Sequence, residues 1–155
     1  MSITPARPRR ALFARVAAGI ALSGGLVAGM TVPAQAAVPR TGDAVVQLAE
    51  SLVGTPYRAG GATPAGFDCS GFTQYVLGEA GVAMPRTADG QLKASHHIAK
   101  ADARPGDLVF FTSGGRAYHA AVYAGNGRIY DSPKPGKAVS QRAIWSSAVV
   151  YARVL

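Results

Sequence analysis

The sequence predicts an α+β domain with an antiparallel sheet of about five strands. Segments whose apolar residues recur at helical spacing come first, between Asp43 and Ala94. Segments with the apolar pattern of strands follow from Asp107 onward. Helices followed by a run of adjacent strands favour the α+β class over the alternating order of a parallel sheet. The chain has neither an internal repeat nor a low-complexity tract, which indicates one domain.

The first predicted helix is "DAVVQLAESLVG", in which apolar residues recur every three or four positions. Thr41 or Asp43 can cap its start, and Gly54 can end it. A loop rich in Gly and Pro, residues 54–68, then leads to the second helix.

The second predicted helix, "CSGFTQYVLGEAG", begins at Cys69 with Asp68 as its N-cap and stops at Gly81. A short third helix is predicted to begin at Thr87, and the polar stretch that follows it, up to Pro105, is predicted to be a loop. The only cysteine of the chain therefore heads a helix.

Five strands are predicted in the second half of the chain. Their sequences are "DLVFFT", "AYHAAVYAG", "RIYDS", "AVSQRAI" and "AVVYARVL". A turn at Asn126 and Gly127 joins the second of them to the third.

Residues 1–36 are predicted to be a cleaved export signal, which leaves residues 37–155 as the mature domain. The start is rich in Arg, an uncharged run follows, and "PAQAA" has the small-x-small pattern of a cleavage site at Ala34 and Ala36. A retained membrane anchor is the alternative, because the uncharged run is long enough to span a bilayer. "RRALF" is similar to a twin-arginine signal, so both the Sec and the Tat route stay open. We expect a secreted protein.

The charge of the mature domain is modest. The predicted signal contains four of the 16 basic residues and none of the eight acidic ones, so twelve basic residues face eight acidic ones, a net charge of +4. The basic residues do not form runs, which argues against nucleic-acid binding. We expect no association with a membrane once the signal has been removed, and we expect a monomer.

Cys69 is a candidate nucleophile. One cysteine cannot form an internal disulfide, and in an exported protein a leftover thiol either pairs with another chain or is kept for its reactivity. At a helix start the exposed amides and the helix dipole stabilise a thiolate, and the same amides can bind an oxyanion. Gly71 would leave room for a substrate backbone. A buried structural thiol is the alternative, which these observations leave open.

A cysteine nucleophile needs a base, and the chain offers three histidines. His96 and His97 lie in a polar segment and are expected to be solvated. His119 lies in the apolar strand "AYHAAVY", where the alternative is a core histidine bonded to a carbonyl. Asp131 could orient its ring, because an acid inside a strand is unusual and costly when buried unpaired.

The register of the hairpin decides whether this pair can meet. A two-residue turn at 126–127 would place His119 opposite Lys134, with Asp131 on the other face of the sheet, and would exclude Asp131 as the orienting group. A three-residue loop or a bulge would place His119 opposite Pro133, with Asp131 as its diagonal neighbour at roughly 7–8 Å. We therefore predict an odd-numbered or bulged loop, with the glycine of the turn at the left-handed bulge position.

With Cys69, His119 and Asp131 in this order, the chain resembles the NlpC-type cysteine peptidases, a papain-like family of bacterial cell-wall hydrolases. Five blocks carry the resemblance: "GTPYRAGG", "FDCSGF", "MPRTADGQ", "RPGDLVFF" and "HAAVYAGNGRIYDSPKPG". The resemblance implies a papain-like fold and hydrolysis of peptidoglycan stem peptides, usually between D-isoglutamate and the following diamino acid. It also implies a secreted or cell-wall location.

The same resemblance implies roles for single residues. Cys69 would be the nucleophile, His119 the general base and Asp131 the orienting group, a position where the family more often has a histidine. The reaction would pass through a thioester without a metal or an organic cofactor. Tyr57 would lie against the reacting group.

Asp68 and Ser70 flank the nucleophile where the family recognises the free amino end of the stem peptide. Capping of the helix is their alternative role. Arg86 matches a block beside the cleft and is expected to be structural.

Other functions stay open at this point. An N-acetylmuramoyl-L-alanine amidase or an acyltransferase would use the same three residues on another bond. A non-catalytic wall-binding module or a secreted effector would be a protein of another class. A regulatory protein partner is not identified by the sequence.

Overall fold

The structure, a computed structural model, describes residues 41–155. Residues 1–40, on which the predicted export signal and its cleavage site fall, lie outside the described residues. Between residues 41 and 155, no helix is long and apolar enough to cross a membrane.

The described residues form three helices and a six-stranded antiparallel sheet, which confirms the α+β class. The helices are α1 (Gly42–Ser51), α2 (Cys69–Glu79) and α3 (Ala88–Ala94), and a 3-10 turn spans Lys100–Asp102. The strands are β1 (Ala62–Thr63), β2 (Gly66–Phe67), β3 (His96–Ile98), β4 (Leu108–Ser113), β5 (Arg116–Gly125), β6 (Arg128–Asp131), β7 (Ser140–Ala143) and β8 (Val149–Arg153). Strands β1 and β2 form a separate pair, and the large sheet has the order β3-β8-β4-β5-β6-β7.

The helix starts agree with the caps that the sequence predicts. Thr41 and Asp68 cap α1 and α2, and Thr87 caps α3, each through a side-chain oxygen that accepts the N–H three residues on. Asp68 makes the shortest of these bonds, 2.7 Å to the N–H of Gly71. This cap fixes Cys69 as the first residue of α2.

Strand β4 runs through the middle of the sheet and is buried on both faces. Leu108 and Phe110 belong to the core cluster that contains the helices, whereas Val109 and Phe111 belong to a second cluster on the other face. Burial on both faces explains the continuous apolar run "LVFF".

Strand β3 corrects the prediction of a loop between α3 and Pro105. His96 and His97 lie on this short edge strand, which pairs antiparallel with β8. The apolar pattern gives no sign of it, since both side chains are exposed and the pairing is made by backbone groups. The sheet therefore has six strands instead of about five.

The β5–β6 hairpin contains both a tight turn and a bulge. Gly125 pairs with Arg128 across a two-residue turn, 126–127, and the register shifts between Tyr123 and Gly125. Beyond the shift, Tyr123 pairs with Ile129. The prediction of an odd-numbered or bulged loop is therefore wrong, because the turn has two residues. The one-residue shift comes instead from a bulge within β5, so the two-residue turn does not exclude Asp131 as the orienting group.

Candidate active site

The bulge in β5 brings His119 and Asp131 to the same face of the sheet. Nε2 of His119 lies 2.6 Å from Oδ2 of Asp131. Asp131 is fully buried and His119 is 7% exposed. A register without the shift would have turned Asp131 to the opposite face. The structure therefore brings together the histidine and the acid that the sequence singles out.

Cys69 meets these two residues from the start of α2. The helix packs against β5, and the half-buried thiol is hydrogen-bonded to the ring of His119 and to the backbone N–H of Ala120. Because Nε2 of His119 is bonded to Asp131, Nδ1 is the ring nitrogen left to face the sulfur. The order along the site is thus thiol, imidazole, carboxylate.

The contacts shift the pKa values of the thiol and the imidazole in opposite directions. Burial raises the pKa of the Cys69 thiol, but the hydrogen bond and the charge of His119 and the N–H of Ala120 outweigh burial and bring this pKa below its ordinary value. Burial lowers the pKa of His119, whereas its bonds to Asp131 and Cys69 raise it, with a net pKa of about 9. The lowered pKa of the thiol and the raised pKa of the imidazole both favour transfer of the thiol proton to His119, which would give a thiolate beside an imidazolium.

Arg142 on β7 is a member of the site that the sequence analysis missed. Its Nε lies 2.9 Å from Oδ1 of Asp131, and its Nη2 donates to Oδ2. Burial raises the pKa of Asp131, but the hydrogen bonds from His119 and Arg142 outweigh it, so this pKa lies below its ordinary value. The buried carboxylate is therefore ionised and contacts two cations.

Aromatic rings hold the imidazole and the guanidinium in place. The ring of Trp145 stacks on Phe111 at 3.7 Å between centroids, and the guanidinium carbon of Arg142 lies 4.3 Å from the Trp145 ring centroid. The ring of His119 lies 5.5 Å from both Phe111 and Trp145. Trp145 is nevertheless 49% exposed, so it forms part of the wall of the cleft. The sequence singles out Trp145 only because it is the one tryptophan of the chain.

Asp68 and Ser70 belong to a polar cluster at the start of α2. The two oxygens of Asp68 accept from the N–H groups of Gly71 and Gly60, at 2.7 and 3.0 Å, and from both terminal nitrogens of Arg86. The hydroxyl of Ser70 lies 3.0 Å from Nη1 of Arg86. Burial raises the pKa of Asp68, but Arg86 and the backbone N–H groups lower it further, so the carboxylate is ionised. Arg86 thus lies in the cluster beside the nucleophile.

Two cavities meet at Cys69. The first, called here the histidine-side cavity, has a volume of about 710 Å³, and Tyr57, Cys69, His119 and Trp145 are among its walls. The second, the arginine-side cavity, has a volume of about 620 Å³; its walls include Asp68, Cys69, Ser70 and Arg86 but not His119. An extended substrate that passes over the sulfur could occupy both.

Tyr57 lies on the wall of the histidine-side cavity, close to the thiol. Burial raises the pKa of the Tyr57 hydroxyl, and the negative charges of Cys69 and Asp68 add to this effect. The phenol is therefore protonated at neutral pH and can act as a hydrogen-bond donor towards a group bound at the sulfur.

Comparison with known proteins places this chain in a family. Residues 54–154 match the NlpC/P60 family. A "Gamma-DL-glutamyl hydrolase" of Bacillus subtilis is 43% identical over 107 residues, which are 66% of this chain and 26% of that protein. A "Probable endopeptidase p60" of Listeria innocua is 40% identical over 93 residues, 60% of this chain and 20% of that protein. The chain thus spans only a fifth to a quarter of the length of these curated relatives.

Solved structures agree with the sequence comparison. The NlpC/p60 domain of the peptidoglycan hydrolase SagA has a TM-score of 0.67 and 38% identity, over 74% of this chain and 99% of that one. The peptidoglycan hydrolase RipB of Mycobacterium tuberculosis has a TM-score of 0.65 and 30% identity, over 72% of this chain and 63% of that one. These matches confirm the resemblance seen in the sequence blocks. Because the family match covers nearly all of the described residues, this chain belongs to the NlpC/P60 family.

Proposed function

We propose that this protein is a cysteine endopeptidase that hydrolyses peptidoglycan stem peptides at the bond between D-isoglutamate and the following diamino acid. The observation that carries the proposal is the position of Cys69 at the start of α2, in contact with the ring of His119, which is itself bonded to Asp131. Relatives and structural neighbours named as endopeptidases and peptidoglycan hydrolases support the choice of substrate.

The proposed reaction is an acyl transfer in two steps. The Cys69 sulfur attacks the scissile carbonyl carbon, and the backbone N–H of Cys69 at the start of α2 stabilises the oxyanion. The imidazolium of His119 gives its proton to the leaving amine, which departs as the carbon–sulfur thioester forms. His119 then takes a proton from water, the hydroxide attacks the thioester, and the thiolate is released with the new carboxyl group.

The other residues of the site position Cys69, His119 and the substrate. Asp131 fixes the ring of His119 with Nδ1 towards the sulfur, as its bond to Nε2 requires. Tyr57 is proposed to donate to the bound carbonyl or to the substrate. Asp68 and Ser70 are proposed to contact the amino end of the stem peptide, in addition to the contacts that they make within the chain.

The site of action follows from residues 1–36, which we propose as a cleaved export signal on the strength of the sequence pattern. The mature protein would then work as a secreted monomer in the cell wall, without a cofactor. The positive charge of the domain suits a protein that works beside an anionic envelope.

Digestion of purified sacculi tests the bond that is cut. We expect fragment masses of glycan-linked peptides that end in D-isoglutamate, together with freed peptides that begin with the diamino acid. An amidase would instead release intact stem peptides, and a transferase would give cross-linked or exchanged peptides. The Cys69→Ser variant serves as the matched control, and lytic activity equal to the wild type in this variant would refute the proposal.

A second candidate substrate has one specific observation in its favour. The relative with 43% identity is named a gamma-DL-glutamyl hydrolase, and a γ-linked glutamyl polymer presents the same γ-glutamyl carbonyl as the stem peptide. Incubation with poly-γ-glutamate and measurement of its chain length separates the two substrates.

A further inference from the structure

The histidine-side cavity is basic. Its wall contains three basic residues, Lys134, Lys137 and Arg142, and none of the residues that line it is Asp or Glu. The charge of Arg142 is offset by its ion pair with Asp131. Within residues 41–155, the ammonium groups of Lys134 and Lys137 have no carboxylate within ion-pair distance.

A tight turn holds the two lysines side by side. The N–H of Lys137 donates to the carbonyl of Lys134 at 3.1 Å, across Pro135 and Gly136. Gly136 has a φ of +77°, the left-handed value that this position of the turn requires. The carbonyl of Lys137 in turn accepts the N–H of Tyr57 at 2.8 Å. The lysine-bearing turn is therefore tied to the loop that carries a residue of the candidate active site.

The position of His119 decides which part of a substrate this cavity receives. The leaving amine must lie within reach of the imidazolium that protonates it. His119 lies in the wall of the histidine-side cavity and not in that of the arginine-side cavity, whereas Cys69 belongs to both. The leaving residue therefore occupies the histidine-side cavity, and the acyl residue lies towards the arginine side.

We propose that Lys134 and Lys137 form a subsite for a free carboxylate on the residue that leaves, so that the enzyme prefers diaminopimelate to lysine at this position. The inference rests on the proposed function and names the diamino acid within it. Diaminopimelate ends in a centre that carries a carboxylate beside its ammonium, whereas lysine ends in an ammonium alone. The two lysines attract the first and repel the second.

A second class of substrate also presents a free carboxylate on the leaving residue. In a γ-linked glutamyl polymer the leaving residue keeps its free α-carboxylate, which lies close to the scissile amide. The subsite would accept this group as well, so the test includes a γ-glutamyl-glutamate oligomer. If the enzyme hydrolyses the oligomer faster than both stem peptides, the subsite serves the polymer. That result would overturn the proposal that the subsite selects diaminopimelate.

The experiment compares kcat/KM on two tripeptides, L-Ala-γ-D-Glu-meso-diaminopimelate and L-Ala-γ-D-Glu-L-Lys, each with its C-terminal α-carboxyl group amidated. They then differ only in the distal carboxylate, and neither leaving residue carries a carboxylate beside the scissile amide. We expect the wild type to prefer the first by about tenfold, the effect of one charge-assisted contact. Lys134→Gln and Lys137→Gln should each reduce this ratio, and the double variant should abolish it. Amidation of the distal carboxylate should have the same effect as the double variant. The preference should also weaken as the salt concentration rises.

A matched control is Lys100→Gln, which removes the same charge from an exposed lysine outside this cavity and should keep the wild-type ratio. Equal rates of the wild type on the two tripeptides would overturn the subsite but leave the proposed function standing. An equal loss on both tripeptides in the lysine variants would also overturn it, because a general effect of charge would explain that result. Hydrolysis of neither tripeptide nor oligomer would overturn the proposed function, and the subsite with it.

Discussion

Arg142 donates to both carboxylate oxygens of Asp131, the residue that also bonds to the candidate base. The Nε contact is 2.9 Å, and the carboxylate has no exposed surface. If a buried aspartate were bonded only to His119, its full negative charge would stabilise the imidazolium. Here the charge is shared with a guanidinium that lies on the ring of Trp145. Asp131 and Arg142 thus act on His119 as a unit.

Replacing Arg142 should change the titration of His119. In Arg142→Gln the carboxylate of Asp131 loses its second cation, so its attraction for the imidazolium increases and the pKa of His119 should rise above about 9. The alkaline limb of the pH profile of kcat/KM should then move to higher pH. NMR titration of His119 measures the same shift directly.

The control for this change is Arg128→Gln, which removes an exposed arginine that bonds only to Gln141 through its side chain. This variant should keep the wild-type profile. Arg142→Gln should also lower the free energy of unfolding by about 2 kcal/mol, since it removes hydrogen bonds to a buried charge. An unchanged pKa of His119 in Arg142→Gln would show that the guanidinium does not act on the imidazole.

Removing the charge of Asp131 should have the opposite effect on His119. In Asp131→Asn the amide can still contact Nε2, but it no longer stabilises the imidazolium, so the pKa of His119 should fall below about 9. The rate should fall by about 100-fold, a usual cost of impaired acid–base catalysis. Steady-state kinetics from pH 5 to 10 on a stem peptide would show both changes. A drop in rate without a shift of the alkaline limb would contradict the role given to the carboxylate charge.

The sequence predicts the placement of the residues whose positions depend on a local sequence pattern. The caps at Thr41 and Asp68 are local signals, and the cap at Asp68 fixes Cys69 as the first residue of its helix. The pairing of His119 with Asp131 depends on one short hairpin, so a count of residues shows that a one-residue shift is needed. The count places this shift in the turn, whereas the structure has it within β5.

The parts that were missed depend on contacts between distant segments. Arg142 reaches Asp131 because β7 pairs with β6, and the long connection between these strands leaves their register unreadable from the sequence. Trp145 stacks on Phe111 from a loop, which no periodicity indicates. The edge strand that carries His96 pairs through backbone groups, so its polar sequence predicts a loop.

The reactivity of Cys69 should depend on pH in a way that an ordinary thiol does not. Its pKa lies below the ordinary value, so alkylation by iodoacetamide at pH 6 should be faster than that of a thiol with the ordinary pKa of about 8.5. In His119→Gln the thiol loses its hydrogen bond and the neighbouring charge, so the rate at pH 6 should fall by about tenfold or more. His96→Gln is the matched control, because His96 is exposed on β3. Equal rates in the two variants would contradict the ion pair.

The imidazolium also links the stability of the fold to pH. The pKa of His119 is raised from 6.5 to about 9, so its contribution is fully present below pH 6.5 and is lost as the pH rises through about 9. In Cys69→Ser, which removes the thiolate partner, the loss should occur at lower pH, because only Asp131 still raises this pKa. Urea unfolding at pH 6, 7.5 and 9 measures the slope. A wild-type slope in Cys69→Ser would show that the thiolate does not stabilise the imidazolium.

Gly71 is required by packing instead of by substrate access, which corrects the role that the sequence suggested. A Cβ at this position would lie 2.0 Å from the carbonyl oxygen of Gly61, a backbone atom of the loop before the nucleophile. Gly71→Ala should therefore destabilise the domain by about 1–3 kcal/mol, the usual cost of overpacking, and displace the loop from the start of α2. Gly78→Ala in the same helix meets no atom within 4 Å and should stabilise the domain by about 1 kcal/mol through helix propensity. Urea unfolding of both variants measures the difference, and a Gly71→Ala variant as stable as Gly78→Ala would contradict the packing argument.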